Sequence, residues 1–341
     1  MSTVLVTGGL GYIGSHTVVE LIEAGHQVIV VDDLSNADKD VLQGIQGITG
    51  TAPAFEMLDL RDRSGVKDLF KRHQQIDGVI HFAASKAVGE SVENPLLYYE
   101  NNINSLVYLL QNCNENGVKN FIFSSSCTVY GQPEQNPITE DSPVQPAVSP
   151  YGNTKQIGEE ILYDSCGAYG LKCISLRYFN PIGAHASAQI GELPKGVPAN
   201  LVPFITQTAA GIREQLAVFG DDYPTADGSC IRDYIHVVDL AKAHVVALER
   251  LFQGNNTDKY EVFNIGTGQG SSVLEVIRAF EKVSGKPLNY QVVDRRPGDV
   301  ISVYADTTKA REVLGWHAIH SLEEALDSAW RWERRIRNLD R

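Results

Sequence analysis

The chain has 341 residues, with 29 basic and 42 acidic side chains, a formal charge of −13 and a pI near 5.1. That balance disfavours a phosphate-backbone binder, whose surface gathers Lys and Arg, so no nucleic-acid partner is expected. With 43% hydrophobic and 21% charged residues, the chain is globular rather than disordered and long enough for two lobes or one enlarged α/β unit.

No apolar run approaches the ~20 residues that span a bilayer. The early Val28–Val31 stretch runs straight into Asp32 and Asp33, and no membrane partner is expected. The first residues lack the basic segment of a signal peptide. Five cysteines, at 113, 127, 166, 173 and 230, contain no C-x-x-C pair, which argues against a disulfide framework or zinc site and for reduced thiols in the cytoplasm. The nine histidines include no H-E-x-x-H, so no metal is expected, and His81, His236 and His244 read as core or structural residues.

Short β-branched runs alternate with helical apolar spacing through the first 180 residues, the pattern of a parallel sheet covered by helices. Strands are predicted at Thr3–Thr7, Gln27–Asp32, Ala54–Leu58, Gly78–Phe82, Asn120–Ser124 and Cys173–Leu176. Helices begin near Tyr12, Arg61, Pro95 and Pro150, the prolines sitting where a first-turn residue needs no N–H partner. Right-handed crossovers then make an α/β, doubly wound Rossmann sheet. After Arg177, the Pro181–Pro203 passage breaks the alternation, as a functional loop or domain boundary does. A helix at Leu201–Ile212, a strand at Leu216–Phe219, a helix at Val238–Phe252, a strand at Glu261–Ile265, a helix at Val273–Val283 and one from Leu322 suggest a smaller α/β lobe. The expected division is a dinucleotide domain at 1–180 and a substrate domain at 181–341.

Gly8, Gly11 and Gly14 follow the first strand and open the first helix, where missing side chains let backbone approach a pyrophosphate and the helix N-terminus face the anion. Asp32 ends the second strand 18 residues after Gly14, near the ~20 expected of the carboxylate that binds an adenine ribose. Asp32 and Asp33 would repel a 2′-phosphate and no arginine intervenes before Arg61, so NAD is favoured over NADP. Asp59 and the Phe82-Ala83-Ala84 run fall at further strand ends. Tyr151 and Lys155 lie four apart on one predicted helix, which puts both on one face. An ammonium beside a phenol favours the phenolate and suits it to general-base work, and Ser124-Ser125-Ser126 at a strand end can share the proton. Each of these features also has an ordinary reading as turn, solvated pair or strand end.

The segments Thr7–His16, His81–Ser91, Ser124–Gly131, Ser149–Lys155, Arg177–Pro181, Arg232–Val237 and Arg295–Asp299 together resemble the extended short-chain dehydrogenase/reductase family, and within it the UDP-sugar 4-epimerases, almost end to end. The resemblance implies that Tyr151 is the acid or base at the sugar 4-OH, Ser126 its helper, and Lys155 the group that holds the nicotinamide ribose and lowers the tyrosine pKa. It implies NAD contacts from Gly8, Gly11, Tyr12, Ile13, Gly14, Asp32, Asn36, Asp59, Leu60, Phe82, Ala83, Lys86, Asn101, Ser124 and Phe179, besides Tyr151 and Lys155. It assigns the UDP-sugar to Ser126, Tyr151, Asn180, Asn200, Leu201, Phe219, Arg232, Arg296, Asp299 and Val303. It points to a homodimer through the helices at Pro95–Asn116 and Tyr151–Tyr169.

The implied reaction interconverts UDP-galactose and UDP-glucose through a 4-keto sugar. Cys127 and Thr128 stand where related dehydratases carry an Asp-Glu pair, so water elimination lacks its proton carriers. Val303 occupies the position where a tyrosine excludes 2-N-acetyl sugars, which implies activity on UDP-N-acetylhexosamines as well. A net NAD-dependent nucleotide-sugar oxidoreductase and a catalytically silent NAD-binding module of the same fold remain alternatives at this level.

Overall fold

The computed structural model describes residues 1–296 and 299–339; Pro297 and Gly298 of the Arg295–Asp299 motif lie outside the described residues. The first half alternates as its apolar runs require: β1 (Thr3–Thr7), α1 (Tyr12–Glu23), β2 (Gln27–Asp32), α2 (Val41–Thr49), β3 (Ala54–Met57), α3 (Arg63–Arg72), β4 (Gly78–His81), α4 (Val88–Glu93), α5 (Pro95–Glu115), β5 (Asn120–Ser124), α6 (Pro150–Tyr169) and β6 (Lys172–Tyr178). Proline opens α5 and α6 at the first turn, and Ser149 caps α6 by accepting from the Gly152 N–H at 3.2 Å. The second half contains β7 (Asn180–Ile182), α7 (Leu201–Ala209), β8 (Leu216–Phe219), β9 (Ile231–Arg232), β10 (Tyr234–His236), α8 (Val237–Phe252), β11 (Tyr260–Ile265), β12 (Ser271–Ser272), α9 (Val273–Ser284), β13 (Tyr290–Val293), β14 (Ser302–Val303) and α10 (Leu322–Ile336).

Seven strands form one sheet in the order β11-β6-β5-β4-β1-β2-β3, with every pairing parallel. Both faces are covered, which is why its central strands read as continuous apolar runs. Side chains alternate between the two cores. Val4 and Val6 pack with Val18 and Leu21 of α1 and Leu240 and Ala247 of α8, whereas Leu5 packs with Leu69 of α3, Leu106 of α5 and Leu162 of α6. This is the doubly wound Rossmann architecture. Its strand order reverses beside β1, and the crevice at the carboxyl ends of β1 and β4 is where such a sheet receives a ligand.

A smaller core joins Ile205 of α7, Val218 of β8, Phe280 of α9 and Trp330 of α10, the two rings meeting edge to face at 5.7 Å. Ser272 and Glu275 close a capping box on α9, and Ser321 and Glu324 another on α10. A break at residue 180 does not coincide with the sheet. β11 pairs with β6, and α8 packs against α1, so both belong to the large layer although they follow residue 180. The chain leaves the sheet after β6, builds part of the small lobe, returns through α8 and β11, and leaves again.

Candidate active site

The turn after β1 is built around missing side chains. Gly8 has φ +66°, and its N–H donates to the Val31 carbonyl at 2.7 Å. A Cβ on Gly8 would lie 2.8 Å from the Ala83 backbone nitrogen, and one on Gly14 would lie 2.2 Å from the Gly8 carbonyl oxygen. Gly11 occupies the N-cap of α1 with no side chain bonded to the first turn, leaving those N–H groups suited to a pyrophosphate. Asp32 is buried at the end of β2; its Oδ2 accepts from the Leu10 N–H at 3.1 Å and its Oδ1 from the Leu34 N–H at 3.0 Å. Burial raises its carboxyl above the ordinary value and those two donors oppose the rise. The loop and the carboxylate therefore fit a dinucleotide.

Other cofactor candidates line the same strand ends. Phe82 sits against the His244 ring at 4.7 Å, Leu60 and Phe179 are buried, and Asn101 donates to Ser85 Oγ at 3.0 Å. The Tyr12 hydroxyl donates to the Gly183 carbonyl at 2.6 Å, tying the first helix to the loop beyond β7. Asp59 instead spends its carboxylate on Arg61 at 2.6 Å, and Asn36 is exposed.

Tyr151, Lys155 and Ser126 are brought together where α6 crosses the end of β5. Ser126 has extended backbone and caps the short 3-10 turn at residues 127–130; its Oγ accepts from the Thr128 N–H at 3.2 Å. That leaves the hydroxyl proton on the side of Tyr151, whose pKa Ser126 lowers. Lys155 donates to the Ser124 carbonyl at 2.8 Å, 5.8 Å from the centroid of the Tyr151 ring and 4.9 Å from that of Phe123. Sequence reasoning expects the Tyr151 pKa to be drawn toward neutrality. In the structure burial pushes it well above the ordinary value, and the Ser126 hydrogen bond is the opposing influence. The Lys155 ammonium is turned to a backbone carbonyl, and burial brings it down to about 8 while Glu159 opposes the fall.

The second lobe closes the cleft from the other side. β9 pairs in parallel with β14, which sets Arg232 opposite Val303. Arg232 and Arg296 converge on Asp299 Oδ1 at 3.7 and 2.7 Å, and the Arg296 guanidinium lies 5.4 Å from the Phe219 ring centroid. Two planar cations in one place suit a diphosphate. Cys127 packs with Val303 and Phe179, joining the edge of the catalytic turn to this wall. Asn180 donates its backbone N–H to the Asp233 carbonyl at 2.9 Å, and Leu201 begins α7.

Asn200, at the N-cap of α7, donates to Glu192 Oε1 at 2.7 Å, and Lys86 stands 4.0 Å from the same oxygen. Glu192 therefore links a cofactor candidate to a substrate candidate, and burial raises its carboxyl above the ordinary value. Sequence reasoning missed Glu192 because it lies in an aperiodic loop. That loop is held by α10: Trp332 Nε1 donates to the Glu192 carbonyl at 2.8 Å, and Arg331 and Arg335 donate to the carbonyls of Ala186 and Ser187 at 2.7 and 3.2 Å. Asp233 also carries no signal of its own outside its motif; fully buried, it accepts from Thr267, Gly268 and Ala305 and fixes the floor of the small lobe. Among the described residues, no group of three or more His, Cys, Asp and Glu is placed to hold a metal ion.

Residues 4–266 match the family described as the NAD dependent epimerase/dehydratase family. The chain belongs to this family. A UDP-glucose 4-epimerase of Bacillus subtilis (strain 168) is 52% identical over 331 residues, covering 97% of this chain and 96% of the relative. The fold matches a UDP-glucose-4-epimerase from Stenotrophomonas maltophila with bound NAD and formylated UDP-arabinopyranose, with a TM-score of 0.95, 48% identity, and 99% and 100% of the two chains covered. It also matches a UDP-glucose 4-epimerase from Bifidobacterium longum in complex with NAD+ and UDP, with a TM-score of 0.94, 45% identity and 99% of each chain covered. Membership of an NAD-dependent epimerase family agrees with the glycine turn, the Asp32 carboxylate and the Tyr151–Lys155 face.

The buried ammonium gives the family's chemistry a pH limit. Lys155 has a folded pKa below its free value, so its charge is lost as pH rises through about 8, and with it the group that favours the phenolate. Turnover is expected to fall above about pH 8. A kcat–pH profile checks this, and a Lys155→Met variant should lack that alkaline limb.

Proposed function

We infer that this chain is a UDP-glucose 4-epimerase, interconverting UDP-galactose and UDP-glucose. The observation that carries the reading is the placement of Ser126, Tyr151 and Lys155 between a dinucleotide turn and a pair of arginines on the facing lobe. The turn at Gly8, Gly11 and Gly14 and the Asp32 carboxylate would hold NAD, which when bound would supply the hydride acceptor and donor for sugar C4. Tyr151 Oη takes the 4-OH proton and later gives it back, with the Ser126 hydroxyl sharing it. Lys155 supplies positive charge beside the phenol. Arg232 and Arg296 hold the diphosphate while the sugar turns. No reductant is consumed overall, and inversion at C4 follows from which face of the sugar is presented.

The neighbouring carboxylates argue against dehydration. Asp233 is saturated by donors from Thr267, Gly268 and Ala305, and Asp299 is paired with Arg296, while Cys127 and Thr128 follow Ser126 without a carboxylate between them. Incubating the holoenzyme with UDP-galactose and no added cofactor should yield UDP-glucose without free NADH. Stoichiometric NADH release would mark a dehydrogenase, and no product a binding module. Tyr151→Phe should lower kcat about 10²–10⁴-fold, the range for a positioned proton carrier, with NAD still bound.

Three finer features extend the reading. Val303 is buried in the substrate wall and smaller than a tyrosine, which supports turnover of UDP-N-acetylglucosamine as well. Val303→Tyr is expected to abolish that turnover and spare UDP-galactose, as coupled assays of both substrates would show. α5 and α6 expose Leu96 and Tyr163, at 79% and 66%, on the elements that support a homodimer. Leu96→Glu combined with Tyr163→Glu should leave a monomer in sedimentation experiments. Residence in the cytoplasm is supported by five free thiols, four of them buried; among the described residues, no helix is long and apolar enough to cross a membrane.

A further inference from the structure

Beneath the catalytic face lies a buried ion pair with no part in the reaction described so far. Tyr151, Lys155 and Glu159 are spaced four apart on α6, and all three are buried. Glu159 Oε1 accepts from Ser125 Oγ at 2.5 Å and from Arg177 Nε at 3.0 Å, and its Oε2 accepts from Arg177 Nη2 at 2.5 Å. Arg177, on β6, also lies 4.8 Å from the centroid of the Tyr130 ring, whose hydroxyl donates to Asn264 Oδ1 at 2.7 Å. A buried ion pair costs desolvation that its own attraction seldom exceeds, so its presence behind a reaction centre calls for a reason other than stability.

The reason is in what Ser125 joins. Its preceding residue, Ser124, offers the carbonyl to which Lys155 donates, and its following residue, Ser126, carries the hydroxyl that counters the effect of burial on Tyr151. We propose that Glu159 is a positioning residue of the reaction: its carboxylate clamps Ser125, and so the Ser124–Ser126 turn, while its negative charge keeps Lys155 an ammonium. Arg177 holds the carboxylate in line and completes the charge row Lys155, Glu159, Arg177. The inference deepens the epimerase reading and rests on it.

The other groups around Lys155 do not supply that charge. From β4, His81 is fully buried and neutral, its pKa brought down to about 3 by burial and by Lys155. From β5, Phe123 offers only a ring face, and from β6 the Tyr178 phenol is bonded to Ser124 Oγ. From α5, Tyr98 is a phenol donating to Glu90. On α6 itself Tyr151 is a phenol whose pKa burial raises, not a carboxylate. Glu159 is therefore the carboxylate that opposes the desolvation of Lys155.

The test compares wild-type holoenzyme, Glu159→Gln and the charge-neutral Glu159→Gln/Arg177→Met double variant. Gln keeps an acceptor for Ser125 but removes the charge and leaves Arg177 facing Lys155. In Glu159→Gln the alkaline limb of kcat should move about one unit to lower pH, with KM for UDP-galactose little changed. In the double variant, where the second cation is gone, the limb should return part of the way. A limb at the wild-type position in folded, NAD-loaded Glu159→Gln overturns the proposal. Should that single variant fail to melt cooperatively, the double variant decides: a limb below wild type supports the proposal, and one at the wild-type position overturns it. NMR titration of the Lys155 ε-carbon should give the same order of the three proteins without any turnover. Failure of the wild type to epimerise UDP-galactose would thus count against the functional reading, while the titration still decides the role of Glu159.

Discussion

The Gly8 carbonyl and the α-carbon of Gly14 are in contact across the first turn, and a side chain at position 14 would collide with that carbonyl at 2.2 Å. The contact draws α1 down onto the end of β1, so that the first turn of the helix opens at the point where the strand order of the sheet reverses. From there the remaining positions follow. α1 packs on α8 and its Tyr12 reaches Gly183, while β1 in the centre of the sheet sets the register of β2 and β4 and so the places of Asp32 and Phe82. A nucleotide turn of this kind is a packing constraint before it is a binding site.

A second constraint is the burial of charge. The crevice removes Tyr151 and Lys155 from water, which favours the neutral form of each, whereas the proposed chemistry needs the lysine charged and the tyrosine able to lose a proton. The fold answers with fixed dipoles and charges. The Ser126 hydroxyl lowers the phenol's pKa, the Ser124 carbonyl accepts from the ammonium, and Glu159 lies one helical turn beyond. The facing lobe carries the opposite sign, two guanidiniums held by one carboxylate, an arrangement that suits a diphosphate.

Much of this was legible in the chain because the sheet is buried on both sides. Runs such as Val28–Val31 and Asn120–Ser124 have to be strands, and the prolines at 95 and 150 mark helix starts. α2 was not legible because Gly44 and Gly47 weaken its helical pattern; both glycines make room for the Gln189 segment, a contact 145 and 142 residues away in sequence. β9, β12 and β14 are two residues each, too short for any period to show. Pairing of β11 with β6 is a long-range choice that local pattern does not encode. Among the candidate site residues, spacing puts Tyr151 and Lys155 on one helical face, and carrying the same step one turn further reaches Glu159. Glu192 had no such signal, since an irregular loop positions it through contacts made elsewhere.

The anchoring of that loop by α10 bears on how the molecule is made. The large sheet is not complete until β11 has left the ribosome, and the hold on the Glu192 carbonyl arrives only with Trp332 on α10, 67 residues after β11 ends. The glycine turn too depends on later segments, since the Gly8 N–H donates to the Val31 carbonyl and Gly8 lies against the Ala83 backbone. The Glu192 loop, made between β7 and α7, therefore gains its α10 fastening only after every strand of the large sheet has been made.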